Sequence, residues 1–572
     1  MMPGCTNSTA GIRPDVQPRA WLLSQTHWFT GRGKDTSDVE EWLSLMKTVH
    51  QATYELLRKH GMNTVFGNPG SNELPFLSGF PSDFRYILGL HEGVVLAMAD
   101  GYAQATGRPT LVNVHSAAGL GNAMGTLVNA SVSHTPLVIM AGQQTRAMLA
   151  LEGQLTNVDA TQLPRPLVKW SVEPPRPQDV PAALARAIHT SMLPPRGPVF
   201  VSVPYDDWAA PAEDSVDLLM ERHVTSSGAA TPAILESLAS RLASARNPVL
   251  VVGAEVDTRD AFQAAVHLAE TSHMPVWIAP SASRCPFPTT HPLFQGVLPF
   301  AISRLSEKLA GHDLILVFGA PVFRYHEYLP GAYLPAGAQL VAVTSDPAEA
   351  ARAPVGDAIV ADPQLVLCQL ASAVAPAMRP PPEPRLRPQP ATDGTAPFSP
   401  ESVFDVLNEV KPNDAVLVNE STSNTQSFWQ RVGLNRERSF YFPAAGALGF
   451  GIPAAVGVQL ADPGRPVIGV IGDGSANFGI TGLWSAVQYR APVTFVILRN
   501  DEYGVLKWFA GALKAHGAPG MDLPGIDYCA IAQGYGLRAV RVTTRDALAD
   551  SLARSVASDS PSLIEVPIRA AI

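Results

Sequence analysis

Gly472-Asp473-Gly474-Ser475-Ala476-Asn477, followed downstream by Arg499-Asn500, decides how this chain is read. The apolar run 467–471 leads into the first string, and the run 493–498 leads into the second. Continuous β-branched runs read as strands buried on both faces, hence a parallel sheet covered by helices. Asp473 and Asn500 then stand at the carboxyl ends of two strands, the edge where doubly wound sheets bind ligands. A carboxylate and a carboxamide placed there can share one hard cation. The glycines let backbone N–H groups approach phosphate oxygens. With a backbone carbonyl, two diphosphate oxygens and a water, these side chains would complete an octahedron around Mg2+. The strings predict a diphosphate held through a divalent metal.

Working outward, the same alternation of apolar runs and helical segments fills most of the chain. The runs 64–66, 86–88, 110–114, 137–140 and 199–203 form one set. A second comprises 249–253, 276–278, 314–317 and 340–343; a third comprises 415–418, 467–471, 493–498 and 563–566. The expected fold is α/β, with three doubly wound domains built on mostly parallel sheets. Their expected bounds are 46–225, 226–380 and 401–572. Residues 208–231 and the proline-rich stretch 375–400 read as linkers, and 381–400 as the connector proper. Residues 1–45 show no period and read as a loosely ordered extension.

Composition narrows the function classes. A net charge of −9 provides no field for nucleic acid or anionic lipid. The 4 cysteines are scattered with no Cys-x-x-Cys pair, which argues against a disulfide scaffold or zinc ribbon and for a reducing cytoplasm. Met1 to Ala20 has no apolar secretory core. The uncharged stretch 440–461 has nearly the length of a membrane span, but its prolines and glycines favour a buried turn and core helix.

Three further features carry chemistry. Gly67-Asn68-Pro69-Gly70-Ser71 forms a sharp turn after a strand and displays Ser71. Glu92 follows the run 86–88 and reads either as a helix cap or as a buried general acid/base. His115 and His326 each lie just past a strand, where a doubly wound domain places reactive groups. Ala444-Ala445-Gly446-Ala447-Leu448-Gly449 is a small-residue loop against which a cofactor ring can lie, with Leu448 able to wedge beneath a bent ligand.

Taken together, these residues resemble the thiamine-diphosphate-dependent 2-oxo acid decarboxylase family, from about Met46 to the C-terminus. Long specific strings carry the resemblance: 66–76, 141–148, 280–289 and 319–326. They point to the branch acting on benzoylformate. The resemblance implies non-oxidative decarboxylation of benzoylformate to benzaldehyde and CO2, with carboligation as a side activity. It implies thiamine diphosphate and Mg2+ (or Ca2+) as cofactors, and pyrimidine-binding, central and diphosphate-binding domains in that order. It also implies a homotetramer, a dimer of dimers with active sites at the dimer interface.

By the same resemblance, Asp473, Asn500 and the carbonyl of Glu502 would hold the metal. Thr422, Ser423, Gly472, Gly474 and Ser475 would surround the diphosphate. Asn68, Pro69, Gly70, Gly446, Leu448, Tyr503, Gly504 and Val505 would surround the rest of the cofactor. Glu92 would reach the pyrimidine from the neighbouring subunit. Ser71 would bind the substrate carboxylate, and His115 and His326 would move protons. Leu155, Leu506 and Phe509 would shape an apolar pocket. A second surface cation is implied near Gln162, Leu163 and Arg165.

Arg499, Asp501 and Glu502 depart from the family's pattern, as do Gln154 and Val505 at the pocket. The first three add charge beside the metal; the last two leave the substrate range open. A carboligase, a decarboxylase for a branched or indolic 2-oxo acid, and a non-catalytic cofactor-fold subunit stay as alternatives. A dinucleotide oxidoreductase lacks its strand-anchored Gly-x-Gly-x-x-Gly.

Overall fold

The computed structural model describes residues 47–213, 216–323 and 325–570. The expectation for residues 1–45 lies outside them. Three six-stranded sheets follow one another along the chain, and all the strand pairs in them are parallel.

The first sheet contains β1 (Thr64–Asn68), β2 (Arg85–Leu88), β3 (Thr110–Val114), β4 (Leu137–Gln143), β5 (Ser171–Val172) and β6 (Val199–Pro204). The second contains β7 (Pro248–Val252), β8 (Val276–Ile278), β9 (Phe294–Val297), β10 (Leu314–Phe318), β11 (Gln339–Thr344) and β12 (Asp357–Val360). The third contains β13 (Val416–Glu420), β14 (Phe440–Tyr441), β15 (Val467–Gly472), β16 (Thr494–Arg499), β17 (Arg538–Arg541) and β18 (Ser562–Pro567).

The first sheet runs β2-β1-β3-β4-β6-β5 and the third β14-β13-β15-β16-β18-β17. These are the same topology, so the outer domains are two versions of one fold. Each reverses direction between its first and third strands, which opens a crevice at their carboxyl ends. The middle sheet runs β12-β11-β10-β7-β8-β9 and reverses between β7 and β10.

The core of the contact between the two outer domains is one helix pair. The helix Glu92–Thr106 is buried along most of its length, as is the helix Gly451–Ala461. Glycines let them cross almost backbone to backbone. A β-carbon at Gly457 would sit 1.9 Å from the Met98 carbonyl oxygen, and one at Gly101 would sit 2.4 Å from that of Ala454. Residues 98 and 101 meet 457 and 454 in reversed order, so the helices are antiparallel.

One expectation changes, and the reading of 440–461 as a turn and a buried core helix holds. The stretch 208–231 is not a plain linker: Trp208 is buried in the first domain's core, and a short helix, Val216–Met220, packs behind it. Residues 440–461 form β14, a loop and the buried helix Gly451–Ala461. No helix among the described residues is long and apolar enough to cross a membrane. The proline-rich stretch is irregular between the helices Pro363–Ala373 and Pro400–Val410. It is pinned where Arg379 donates to the carbonyls of Ala245 and Ser272.

Candidate active site

In the third domain, β15 ends at Gly472 and Asp473 opens the helix Asp473–Gly479. Asp473 Oδ2 accepts the backbone N–H groups of Asn500 (3.1 Å) and Asp501 (2.7 Å). Asp473 Oδ1 accepts from Gly474 N–H at 2.9 Å. Burial pushes the Asp473 carboxyl up, against the pull of these three donors. One end of the Asn500 carboxamide lies 3.0 Å from Asp473 Oδ1 and 2.9 Å from the Glu502 carbonyl oxygen. With no cation, the amide N–H2 would turn to these two acceptors. With one, the amide oxygen would point there, and three oxygens would meet at a single point. That donor set suits Mg2+ or Ca2+.

The small residues around this point are required. A β-carbon at Gly474 would fall 2.7 Å from the Tyr503 ring. Asp501 takes a left-handed φ of 56° in the turn that brings the Glu502 carbonyl round. Thr422 and Ser423 lie in the short helix after β13, on the same carboxyl edge as Gly472.

The loop 444–450 approaches this edge. Glu420, fully buried at the end of β13, accepts from the N–H groups of Gly449 (2.8 Å), Phe450 (3.1 Å) and Gly451 (2.8 Å). Burial outweighs those donors and pushes its carboxyl up to about 7. Glu420 was not singled out from the sequence. An acidic residue closing an apolar strand was the available signal.

The charges that depart from the family's pattern are compensated. Arg499 bonds Asp501 (2.7 Å) and Glu565 (2.8 Å), and these two carboxylates hold its guanidinium above the usual arginine range. Lys507 pairs with Glu502 and with Asp522 (2.7 Å). Lys507 lies on the helix Gly504–Ala512, which also carries Leu506 and Phe509. The Phe509 ring stacks on His326, centroids 4.9 Å apart, which brings the middle domain's histidine to this helix. Val505 is half-buried on the same helix.

In the first domain, Asn68, Pro69, Gly70 and Ser71 turn out of β1, and Ser71 is exposed. Glu92 is the first residue of its helix, not the cap. His91 Nδ1 caps it, accepting from Gly93 N–H. The nearly buried Glu92 carboxylate accepts from Asn68 Nδ2 (3.3 Å) and Asn122 Nδ2 (2.9 Å). Its flank is open because Gly119 stands there: a β-carbon at 119 would meet Glu92 Oε1 at 3.1 Å.

His115 lies 2.7 Å from Glu73, a buried residue the sequence reading missed. Glu73 also accepts backbone N–H groups from Gly70 (2.9 Å), Ser116 (3.2 Å) and Gly142 (2.7 Å). A carboxylate with three such donors is an acceptor, so His115 Nδ1 carries a proton and Nε2 is left to work outward. Gly70 permits this: a β-carbon there would sit 2.1 Å from the His115 ring. Ser116 Oγ donates to the Leu155 carbonyl at 2.8 Å, tying the pocket wall to the same cluster. Leu155 and Gln154 are exposed in the single chain.

The second cation position is plainer. Arg165 N–H donates to the Gln162 carbonyl at 3.0 Å, Arg165 Nε donates to Ser171 Oγ at 2.9 Å, and Leu163 is partly exposed.

The site residues therefore fall into two groups. Asn68, Ser71, Glu73, Glu92, His115 and Leu155 form the first. Thr422, Leu448, Asp473, Asn500, Glu502, Phe509 and His326 form the second. The antiparallel helix pair holds them apart within one chain. Glu92 lies nine residues, about 13 Å, from Gly101, in the direction away from the loop that precedes Gly451.

The chain matches the thiamine pyrophosphate enzyme family along three segments. Residues 47–163 match its N-terminal TPP binding domain, 235–370 its central domain, and 421–566 its C-terminal TPP binding domain. The chain is 60% identical over 522 residues to benzoylformate decarboxylase of Pseudomonas aeruginosa, covering 91% of this chain and 99% of that one. A solved structure of a thiamine diphosphate-dependent 4-hydroxybenzoylformate decarboxylase from Rhodococcus jostii RHA1 superposes with TM-score 0.90 at 54% identity, covering 91% and 99%. Benzoylformate decarboxylase from Polynucleobacter necessarius gives TM-score 0.89 at 41% identity, covering 92% and 99%.

Proposed function

The chain belongs to the thiamine pyrophosphate enzyme family, and from that premise we propose that it is a carboxy-lyase converting benzoylformate to benzaldehyde and CO2. One observation carries the reading. The Asn500 carboxamide lies 3.0 Å from Asp473 Oδ1 and 2.9 Å from the Glu502 carbonyl oxygen, a grouping able to take a cation, in a chain 60% identical to benzoylformate decarboxylase over 91% of its length.

Asp473, Asn500 and the Glu502 carbonyl would hold Mg2+ and, through it, the diphosphate. Thr422, Ser423, Gly474 and Ser475 would take the remaining phosphate oxygens, and Leu448 would support the cofactor's bend. Thiamine diphosphate, once bound, supplies the electron sink for the pair released as CO2 leaves. Glu92, held by Asn68 and Asn122, exchanges a proton with the pyrimidine ring. Ser71 receives the substrate carboxylate. His115 Nε2 and His326 deliver and remove protons at the substrate's carbonyl carbon and oxygen. Leu155, Leu506 and Phe509 enclose the phenyl ring and exclude water, favouring loss of the charged carboxylate; the protein's share is placement, charge and proton transfer.

Because the two residue groups are held apart within one chain, each site is completed by a second copy. Apolar side chains beside both groups are uncovered in the single chain, among them Leu74, Leu151, Val158, Phe478 and Leu506. Such surface marks an interface. We place the enzyme in the cytoplasm as a dimer of dimers. The free thiols of Cys285, Cys368 and Cys529 agree with a reducing compartment.

The test is direct. Purified protein with thiamine diphosphate, Mg2+ and benzoylformate is expected to release benzaldehyde and CO2 in equal amounts. Release of CO2 from a branched or indolic 2-oxo acid, with none from benzoylformate, would transfer the assignment to that substrate class.

A further inference from the structure

The helix Ser116–Val132 begins beside Glu73 and His115, and carries Asn122 against Glu92. Thirteen residues past Ser116, about 20 Å along its axis, it reaches Asn129. Asn129 is fully buried, and its side chain bonds the loop 444–450 of the third domain. Asn129 Nδ2 donates to the Ala447 carbonyl at 2.8 Å. Asn129 Oδ1 accepts from the N–H groups of Ala445 (3.2 Å) and Ala447 (3.3 Å). One amide thus uses both its ends on a single loop of another domain.

The loop needs such a hold. Its side chains are alanine and glycine up to Leu448, so they have few atoms with which to fix its shape. Ala445 and Gly446 are exposed, and Gly446 takes φ 74°. Glu420 anchors the far end at Gly449 to Gly451. Asn129 anchors the near end, and Leu448 lies between the two.

We propose that Asn129 is a positioning residue for the cofactor. It fixes the backbone at Ala445 and Ala447 so that Leu448 is presented to the bent thiamine diphosphate. The inference rests on the cofactor reading above. Asn129 does not touch the reacting atoms; it acts through the loop. The helix that carries it serves one half-site at its N-terminus and its own chain's cofactor cradle near its C-terminus.

The experiment compares Asn129→Ala with Arg438→Ala. Arg438 also bridges domains, donating to the Ala105 carbonyl and to Asp260, but it does not bond the loop. Thiamine diphosphate is titrated at fixed Mg2+ by tryptophan fluorescence, and turnover is measured at saturating cofactor. Asn129→Ala is expected to raise the cofactor Kd at least tenfold, with kcat at saturation falling less than about threefold. Arg438→Ala is expected to lower the melting temperature and leave the Kd within about twofold. A lower melting temperature for Asn129→Ala with unchanged Kd would make Asn129 mere interdomain glue and overturn the proposal. Should that variant not fold, Asn129→Ser keeps an acceptor but loses the Nδ2 donor; it must raise Kd in the same direction, and an unchanged Kd overturns the proposal equally. If the wild-type protein shows no saturation with thiamine diphosphate, the cofactor reading fails instead.

Discussion

At the scale of single residues, Glu73 shows what holds the candidate site together. Ser71, Glu92, His115, Asp473 and Asn500 stand beside turns at strand ends, where a sequence pattern can place them. Glu73 is different. It sits two residues past Ser71, beyond the string read as a turn, and its worth comes from four partners at positions 70, 115, 116 and 142. Only folding brings these together. We expect Glu73→Gln to lower kcat/KM at least tenfold, about 1.4 kcal/mol, because an amide cannot accept from three N–H groups and His115 at once. Steady-state kinetics with a parallel cofactor titration checks this, and Kd should stay within about threefold. A tenfold loss in Kd with kcat intact would instead place Glu73 among the cofactor's supports. The charges added at Asp501 and Glu502 looked able to disturb the metal. Arg499 and Lys507 neutralise them, and the pairing with Lys507 spans a turn that spacing alone did not reveal.

At the scale of elements, the interior strands were readable, and of the six edge strands only β2 was. The runs expected from the sequence correspond to β1, β2, β3, β4, β6, β7, β8, β10, β11, β13, β15, β16 and β18. The missed strands are β5, β9, β12, β14 and β17, and every one lies at or next to a sheet edge in the strand order. An edge strand has one neighbour and often one wet face, so it needs no continuous apolar run. β12 and β17 show this directly, with mostly exposed residues. The helix pair Glu92–Thr106 and Gly451–Ala461 depends on what is missing from its glycines. Gly457→Ala would drive a β-carbon into the Met98 backbone and is expected to cost at least about 2 kcal/mol. Gly534→Ala, near a helix end with nothing within 4 Å, should cost nothing or gain about 0.5 kcal/mol. Urea unfolding of both variants against wild type decides it. Equal stability for the two would mean that the crossing is looser than described.

At the scale of the whole molecule, the outer domains repeat one topology, and the residues for one reaction are divided between them. On the proposed reading, the first domain offers acid/base groups and the third a diphosphate and metal cradle. The antiparallel helix pair keeps them apart within a chain, and the proposed dimer would let paired copies complete each other. That predicts complementation. Glu92→Gln and Asp473→Ala should each be nearly inactive alone. Co-expressed, random pairing makes about half the dimers hybrid, each with one site free of both lesions, or about a quarter of wild-type activity. Activity of the mixture no greater than the sum of the two variants would show that each chain completes its own site.

Strand chemistry and turn residues settled by themselves that this chain folds as parallel α/β domains, and they pointed to a bound diphosphate. Those signals are local: β-branched runs, glycine turns and a carboxylate at a strand's end are set within a few residues of one another. Tertiary structure alone decided the edge strands, the buried carboxylates Glu73 and Glu420, the neutralised charges around Asp501 and Glu502, and the reach of Asn129 into another domain. Apart from the near-neighbour pairs Arg499–Asp501 and Lys507–Glu502, these depend on groups far apart in the chain meeting in space, where removal from water makes an unpaired carboxylate or amide costly and fixes which partner it must take.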